Sequence, residues 1–301
     1  MTRNNNLCTL NEVLPKAELG GYAVGSFSPR YTAMIRPVLR AAQVSKSPII
    51  VQISENEFGW YRLTPQEFAD TFFAVLQEEE ITVPVVLHLD HTRHHITIQK
   101  AIEAGFSSVM MDASSKPFAE NVEFTKTVVE YAHPKFVSVE AELGRIGTAD
   151  FIETDTDEEL FTKPEEARWF VTETKVDALA VSVGTAHGVY TVRKPRIDLE
   201  RLKQIRAKTP VHLVLHGGSG VPAAMIKEAI RLPGGGISKV NIATDLELAA
   251  LKVLGRSERL LNSEMNALSS QKIKAAQDAV FDVVIEKITN FVGSGGKAEI
   301  L

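Results

Sequence analysis

The sequence is poor in cysteine and has no long apolar run. Cys8 is the only cysteine among 301 residues, so no disulfide can form within the chain, which suits a reducing compartment. No stretch approaches the roughly 20 consecutive apolar residues of a membrane-spanning helix. The first residues, MTRNNNLCTLNEVL, lack the apolar core of a signal peptide. These absences predict a cytoplasmic protein without a membrane partner.

An excess of positive charge is also absent. The formal net charge is −5 at pH 7 and the isoelectric point is near 6.0. Proteins that bind nucleic acid in general are usually basic, so the charge argues against a nucleic-acid partner. A local basic site for a small anion stays compatible with this composition.

Short apolar runs alternate with helical patterns along the whole chain. The runs are rich in Val and Ile and apolar on both faces, as strands covered on both sides must be. They are YAVGSF (22–27), PIIVQIS (48–54), VPVVLHLD (83–90), SSVMMD (107–112), KFVSVEAEL (135–143), DALAVSVG (177–184), VHLVLHG (211–217) and ISKVNIAT (237–244). Eight such units predict a (β/α)₈ TIM barrel, with an open doubly wound sheet as the alternative.

The helical patterns carry recognisable start signals, such as Thr64 as N-cap, Pro65 and Glu67 in TPQEF. Two long connections interrupt the alternation, at 144–161 and at 254–271, and a terminal helix follows the second. Connections of this length are often binding segments or lids. We therefore predict one TIM-barrel domain over residues 1–301, with a C-terminal helical extension at about 254–292.

Polar side chains collect where the apolar runs end. In a TIM barrel the active site lies at the C-terminal ends of the strands, and buried strands have no structural need for polar endings. In chain order these residues are Asp90 and His91, Asp112, Glu140 and Glu142, His187, His216, Asn241 and Thr244. Their convergence predicts a functional site at the barrel mouth.

Three of these residues are histidines: His91, His187 and His216. Three histidine ligands, with a fourth coordination position left open for substrate, are typical of a catalytic zinc site. Taken singly, each could be a satisfied polar residue or a helix cap. Glu142 could reach the metal or orient a histidine, whereas a buried hydrogen bond is an equal alternative for Glu140. Asp90 and His91 are successive strand residues, so their side chains are expected to point in different directions.

The glycine-rich stretch HGGSG (216–220) lies where a strand gives way to a helix. Its backbone N–H groups and Ser219 could hold a phosphate, and NIAT (241–244) adds donors at the next strand end. His88 is expected only to pack inside the barrel. His94 and His95 are expected to be solvated or to cap the next helix.

Five motifs in order, LHLDH, VEAELGRIG, VGTAHGVY, LHGGSG and KVNIATDLE, resemble the class II (zinc-dependent) fructose- and tagatose-bisphosphate aldolases. The resemblance runs from about residue 7 to residue 290. It implies reversible retro-aldol cleavage of a ketose (bis)phosphate to dihydroxyacetone phosphate and an aldehyde, with Zn²⁺ stabilising the enediolate. It also implies a homodimer or homotetramer, and a monovalent cation is a candidate second ion.

The resemblance assigns roles to residues at matching positions. His91, His187 and His216 correspond to the zinc ligands, Glu142 to an acidic residue close to the metal, and Asp90 to the acid/base at the C4 hydroxyl. The substrate-phosphate site corresponds to Gly188, Gly217, Ser219, Asn241 and Thr244.

Several positions depart from the family pattern. Ser28 stands where asparagine is usual, and Thr191 where a phosphate-binding lysine is usual, with Arg193 or the lysine after it as the candidate replacement. Asp150 is the nearest candidate for the acidic proton-transfer residue of the mobile loop. SENEFGW (54–60) replaces a glycine-rich strand ending. These changes suggest an aldolase for a ketose phosphate other than fructose 1,6-bisphosphate, with a polar or anionic far end.

Two other classes of protein share part of this pattern. A zinc hydrolase with an HxHxDH motif would need its first histidine where Val86 stands, and it belongs to a different architecture. A non-catalytic phosphosugar binder would not need the three histidines and Asp90. The sequence leaves open the ketose and its C4 configuration, the divalent metal, and the choice between dimer and tetramer.

Overall fold

A computed structural model describes residues 6–145, 160–186, 188 and 195–298. Within them, eight parallel strands form a closed barrel in which each strand pairs with the next and β8 pairs with β1. The strands are β1 Val24–Phe27, β2 Ile49–Ser54, β3 Val85–Thr92, β4 Ser108–Met111, β5 Ser138–Leu143, β6 Ala178–Val181, β7 His212–Leu215 and β8 Ile237–Ile242. The predicted TIM barrel is confirmed, and the open sheet is wrong.

Helices surround the barrel and follow the predicted start signals. Thr64 caps its helix and Glu67 returns the hydrogen bond, accepting from the Thr64 N–H at 2.8 Å. The helices are α1 Leu10–Gly20, α2 Ile35–Val44, α3 Glu55–Tyr61, α4 Pro65–Glu78, α5 His95–Ala104, α6 Phe118–Ala132, α7 Pro164–Thr174, α8 Leu199–Lys208, α9 Ala223–Ile230, α10 Thr244–Val253, α11 Asn262–Asn266 and α12 Ser270–Glu286.

Helix α1 closes the N-terminal end of the barrel. Leu10, Val13, Leu14 and Ala17 are fully buried and pack with apolar residues from the first halves of several strands. The Leu10 N–H also donates to the Ser138 hydroxyl at 3.0 Å, which ties the helix to β5. Polar side chains inside the barrel are therefore approached from the C-terminal end.

The C-terminal segment covers one side of the barrel. The stretch 254–271, expected as a loop, contains the short helix α11, and Asn262 at its start accepts from the Thr32 N–H at 2.9 Å. Helix α12 packs on α2 and α10 and continues into a π-helical turn, Lys287–Val292. Among the described helices, none is both long enough and apolar enough to cross a bilayer.

Candidate active site

A bulge near the end of β3 brings two successive side chains to the barrel mouth. The register between β3 and β4 shifts between Leu89 and Thr92, and His91 has a φ of +35°. Bulges re-aim side chains in this way. Ligand atoms of Asp90, His91 and His216 consequently lie within 4.8 Å of one another, although strict strand alternation would separate the first two.

Of the three histidines predicted to bind a metal, the structure describes His91 and His216, and carboxylates hold both of their rings. Their rings meet edge to face, with centroids 4.4 Å apart. His91 Nδ1 lies 2.8 Å from Asp112 Oδ2, so we assign the ring proton to Nδ1. His216 Nε2 lies 2.9 Å from Glu140, whereas its Nδ1 lies 3.1 Å from Glu142. His216 therefore presents Nδ1 to the mouth beside Glu142.

The electrostatics of this cluster favour a cation. Burial lowers the pKa of His91, but the carboxylates of Asp90, Asp112 and Glu142 outweigh burial and raise that pKa to about 10. A second group of ligand atoms, from His91, Asp112 and Glu142, also lies within 4.8 Å. Imidazole nitrogens and carboxylate oxygens are the ligands that a divalent transition metal such as zinc prefers. The residues present therefore fit a metal ion.

Asp90 is kept ionised and is oriented by two amides. Gln52 donates to one carboxylate oxygen at 3.0 Å and Asn241 donates to the other at 3.0 Å. Burial raises the pKa of Asp90, but positive charge on His91 and the other cations nearby hold it well below its usual value. A carboxylate held in this way is equipped to accept a proton at the mouth.

A buried ion pair supports His216 from below. Lys239 Nζ lies 2.8 Å from Glu140 Oε2, and the other oxygen of Glu140 faces His216. The Lys239 and Glu140 side chains are 0% exposed. The sequence analysis did not single out Lys239, although a lysine within the apolar run ISKVNI, two residues before Asn241, was a signal that could have found it.

His88 lies one layer deeper, as expected for a residue that packs inside the barrel. Its Nδ1 lies 2.8 Å from the Ser108 hydroxyl, and its Nε2 lies 3.7 Å from Asp90 and 3.6 Å from Glu140. Desolvation lowers its pKa, so the ring is neutral. His88 thus completes the polar layer beneath the mouth.

The loop after β7 and the start of α10 lie side by side, and we call this region the cradle. The Ser219 hydroxyl accepts from the Ala243 and Asp245 N–H groups, both at 3.3 Å, and so links the two segments. Gly217 has a φ of +66°, and a Cβ there would lie 2.3 Å from the Ala186 carbonyl oxygen. Only glycine fits this position without displacement of the backbone.

The other described residues that were predicted for the phosphate site are Gly188, Thr244 and Asn241. Gly188 has a φ of +100° and Thr244 is the first residue of α10. The side-chain N–H of Asn241 points into the barrel toward Asp90 rather than toward the cradle.

Ser28 lies at the end of β1 in a second polar cluster. Its hydroxyl donates to Glu57 at 2.8 Å, and Arg30 donates to the other oxygen of Glu57 at 2.8 Å. Arg30 also pairs with Glu247, at the first turn of α10. Arg30, Glu57 and Glu247 were not singled out as candidates from the sequence.

Three predicted site residues lie outside the described residues: His187, Asp150 and Arg193. The same is true of Thr191. The assignment of a third metal ligand and of a proton-transfer residue therefore stays a prediction.

Comparisons with known proteins show which family the chain belongs to. The family profile "Fructose-bisphosphate aldolase class-II" matches residues 8–297. The chain is 38% identical to a fructose-bisphosphate aldolase of Geobacillus stearothermophilus over 97% of its length and 99% of that protein. It is similar to the crystal structure of the YdjI aldolase from Escherichia coli K12, with a TM-score of 0.82, 34% identity, and coverage of 97% of this chain and 99% of that one. The chain, whose barrel mouth carries groups that could hold a metal ion, belongs to the class II fructose-bisphosphate aldolase family and is therefore a lyase of the aldolase type.

Proposed function

We propose that the protein cleaves a ketose phosphate reversibly to dihydroxyacetone phosphate and an aldehyde, with zinc as the metal. The observation that carries the proposal is the position of Asp90. This ionised carboxylate is held by Gln52 and Asn241 and lies within ligand distance of His91 and His216. A metal site needs the histidines, and a firmly oriented carboxylate beside them supports a proton transfer next to the metal.

His91 and His216 would hold the ion, with Glu142 close to it and His187 as the third histidine. When bound, zinc polarises the substrate carbonyl and stabilises the negative charge that develops as the C3–C4 bond breaks. Asp112 and Glu140 orient the two described rings, so that Nε2 of His91 and Nδ1 of His216 face the mouth.

Asp90 would take the proton of the C4 hydroxyl during cleavage and return it to the aldehyde oxygen during synthesis. The amides of Gln52 and Asn241 donate to both of its oxygens and thereby fix the direction of its lone pairs. Asp150 is our candidate for the proton transfer at C3.

The substrate phosphate would lie in the cradle between the β7 loop and the start of α10. An anion is stabilised at such a helix N-terminus by N–H groups and by the helix dipole. The residues that we assign to it are Gly188, Gly217, Ser219, Thr244 and Arg193, whereas the side chain of Asn241, also predicted for the phosphate, donates to Asp90 instead. Ser28 would face the other end of the substrate.

We further infer a cytoplasmic homodimer or homotetramer, with a monovalent cation as a candidate second ion near the phosphate. These inferences rest on membership of the family and on the sequence, which contains no apolar membrane-spanning run. Sedimentation velocity would decide between monomer, dimer and tetramer, and potassium titration of the activity would test the second ion.

The test is release of dihydroxyacetone phosphate from a panel of ketose phosphates that includes fructose 1,6-bisphosphate, before and after treatment with a chelator. We expect release that the chelator abolishes and that added Zn²⁺ restores. Folded, zinc-loaded protein that releases no triose phosphate from any member of the panel would contradict the proposal and favour a phosphosugar binder.

A further inference from the structure

We assign the far half of the proposed substrate to the β1 and β2 ends of the barrel mouth, which lie next to Asp90. The phosphate cradle belongs to the β7 loop and α10, and the described metal-facing groups stand on β3, at the ends of β4 and β7, and on β5. Asp90, on β3, pairs in register with Ser54 on β2 and accepts from Gln52. Inward positions recur every second residue, so Ser28 and Ser54 stand one layer above Ser26 and Gln52, nearer the mouth.

This part of the mouth is filled by a connected set of side chains, which we name the β1–β2 cluster: Ser28, Arg30, Glu57, Tyr61 and Glu247. All five side chains are buried. Glu57 accepts from Arg30 Nε and from Ser28, each at 2.8 Å, and Arg30 Nη1 pairs with Glu247. Tyr61 donates to Glu247 at 2.6 Å.

The cluster carries two carboxylates for one guanidinium. Burial raises the pKa of the Tyr61 hydroxyl, so the tyrosine is neutral and the five side chains sum to a net charge of about −1. The Ser28 hydroxyl, Arg30 Nε and Nη1, and the Tyr61 hydroxyl donate to the two carboxylates of the cluster. A phosphate dianion in this region would meet like charge and few available donors, which is how binding sites reject a wrong partner.

The cluster is also rigid. Glu57 closes the capping box of α3, since its carboxylate accepts from the Ser54 N–H at 2.9 Å. Arg30 has a φ of +63°, a conformation that an arginine keeps only when its surroundings determine it. The Glu57 carboxylate is therefore tied to the backbone, and the Glu247 carboxylate is held by the Arg30 and Tyr61 side chains, so neither is free to turn away from an incoming anion.

We propose that the far end of the substrate is an uncharged hydroxyl group, so that the aldehyde product is a neutral hydroxyaldehyde and the substrate a ketose monophosphate. This inference rests on the proposed aldolase function and narrows its substrate class. In the synthetic direction, the hydroxymethyl carbon of dihydroxyacetone phosphate loses a proton to a base and bonds to the aldehyde carbon. The aldehyde oxygen takes a proton from Asp90, and the proton held by the base returns to Asp90 through solvent, so that no net proton is released.

The first experiment separates the two ideas by leaving the aldehyde out. Zinc-loaded protein is mixed with dihydroxyacetone phosphate in D₂O, and exchange of the hydroxymethyl hydrogen is followed by NMR. Exchange needs the metal and the phosphate cradle but no far-end contact. We expect chelator-sensitive exchange. Its absence would contradict the proposed function itself.

The same protein is then given dihydroxyacetone phosphate with glyceraldehyde, with glyceraldehyde 3-phosphate, or with a hydroxyaldehyde that carries a carboxylate. We expect kcat/KM for the neutral aldehyde to exceed each of the others by at least about tenfold. A preference for either anionic aldehyde in protein that exchanges the hydroxymethyl hydrogen would overturn the inference and leave the aldolase assignment standing.

Matched variants test the cluster itself. Glu57→Gln and Glu247→Gln each remove one negative charge and keep an accepting oxygen, so the preference should move at least about threefold toward glyceraldehyde 3-phosphate. Glu55→Gln is the control, because Glu55 contacts His94 and Thr97 instead of Arg30. An equal shift in the control, or none in either cluster variant with normal thermal stability, would contradict the role of the cluster.

The exposed Arg259 is the competing cation in this region, since it stacks over the rings of Trp60 and Tyr61 at 4.8 and 5.8 Å. If it bound a substrate phosphate, Arg259→Met would weaken use of glyceraldehyde 3-phosphate selectively. We expect the variant to leave the ratio of the two aldehydes unchanged, and a selective loss would overturn the inference.

Discussion

The two sides of the barrel mouth both gather carboxylates, but the described side chains that face those carboxylates differ: imidazole rings on the β3–β5 side and a guanidinium on the β1–β2 side. On the β3–β5 side, Asp90, Asp112 and Glu142 surround His91 and His216, and their combined field raises the pKa of His91 to about 10. This side has ligand atoms arranged around a position that suits a metal ion.

On the β1–β2 side the chain supplies the charge through Arg30, which pairs with Glu57 and Glu247. Its partners are satisfied by protein donors. Similar groups of carboxylates can therefore form an ion site or a surface without one, depending on whether a guanidinium of the chain already pairs with them.

Removal of a metal-facing histidine should have the largest effect on this comparison. His216→Ala deletes one proposed metal ligand and also leaves the Glu140 carboxylate without its imidazole partner. We expect bound zinc to fall to background and turnover to drop by about 10⁴-fold or more. Metal analysis of the purified, folded variant and triose-phosphate release would check this, and His212→Ala, on the opposite end of β7, serves as the control. Full zinc occupancy in His216→Ala would contradict the assignment.

Asp90→Asn separates metal binding from proton transfer. The amide keeps the shape of the carboxylate but cannot act as a base, so kcat should fall by about 10²–10⁴-fold. Zinc content should stay near that of the unaltered protein, because histidines and Glu142 provide the proposed ligands. Parallel metal analysis and kinetics would test this, and unchanged kcat would show that another group transfers the proton.

Lys239→Met should break the support beneath the metal side. The variant leaves the Glu140 carboxylate buried without its ammonium partner, which typically costs about 3–5 kcal/mol of unfolding free energy. Addition of Glu140→Gln should recover most of that loss, because the amide is neutral and its oxygen still accepts from His216. Urea unfolding of metal-free protein would measure both. A double variant as unstable as the single one would contradict the pairing.

Asp112→Asn should have the smallest effect of the four. Its carboxylate orients His91 without belonging to the proposed ligands, and such a change typically weakens metal affinity by about 10–100-fold. Competition with a chromogenic zinc chelator would measure the affinity. Ser114→Ala, which removes a hydroxyl that donates to Asp112, is a milder control. Unchanged affinity in Asp112→Asn would remove the positioning role.

The strands and the polar strand ends were predictable, because buried parallel strands are apolar and any polar residue among them stands out. Asp90, His91, Glu142 and His216 were found in this way. The bulge that turns His91 beside Asp90 was not, since it depends on pairing with β4 rather than on local pattern. The first strand ending, SFSPRY, was recognised as unusual, but nothing local indicated that distant parts of the chain meet there.

Helix α3 and the Arg30–Glu247 ion pair were not predicted, although the sequence carried a signal for the helix. Ser54 is the N-cap of helix α3 and Glu57 follows three residues later, which is the S-x-x-E spacing of a capping box. This stretch was nevertheless interpreted only as the replacement of a glycine-rich strand ending. The contact of Arg30 with Glu247 joins residues 217 positions apart in the sequence, so no local pattern could reveal it. Long-range ion pairs of this kind are visible only after the barrel has closed.

Helix α1 closes the barrel at the N-terminal ends of its strands, so the described interior opens at the C-terminal ends. Leu10, Val13, Leu14 and Ala17 exclude water at its base, and the polar layer that contains His88 and Lys239 lies between that base and the mouth. Among the described residues, labile protons on these two side chains therefore exchange with solvent by way of the C-terminal mouth, past the proposed site. A ligand that fills the mouth should slow hydrogen exchange deep inside the barrel, so the buried side chains report on occupancy without touching the ligand.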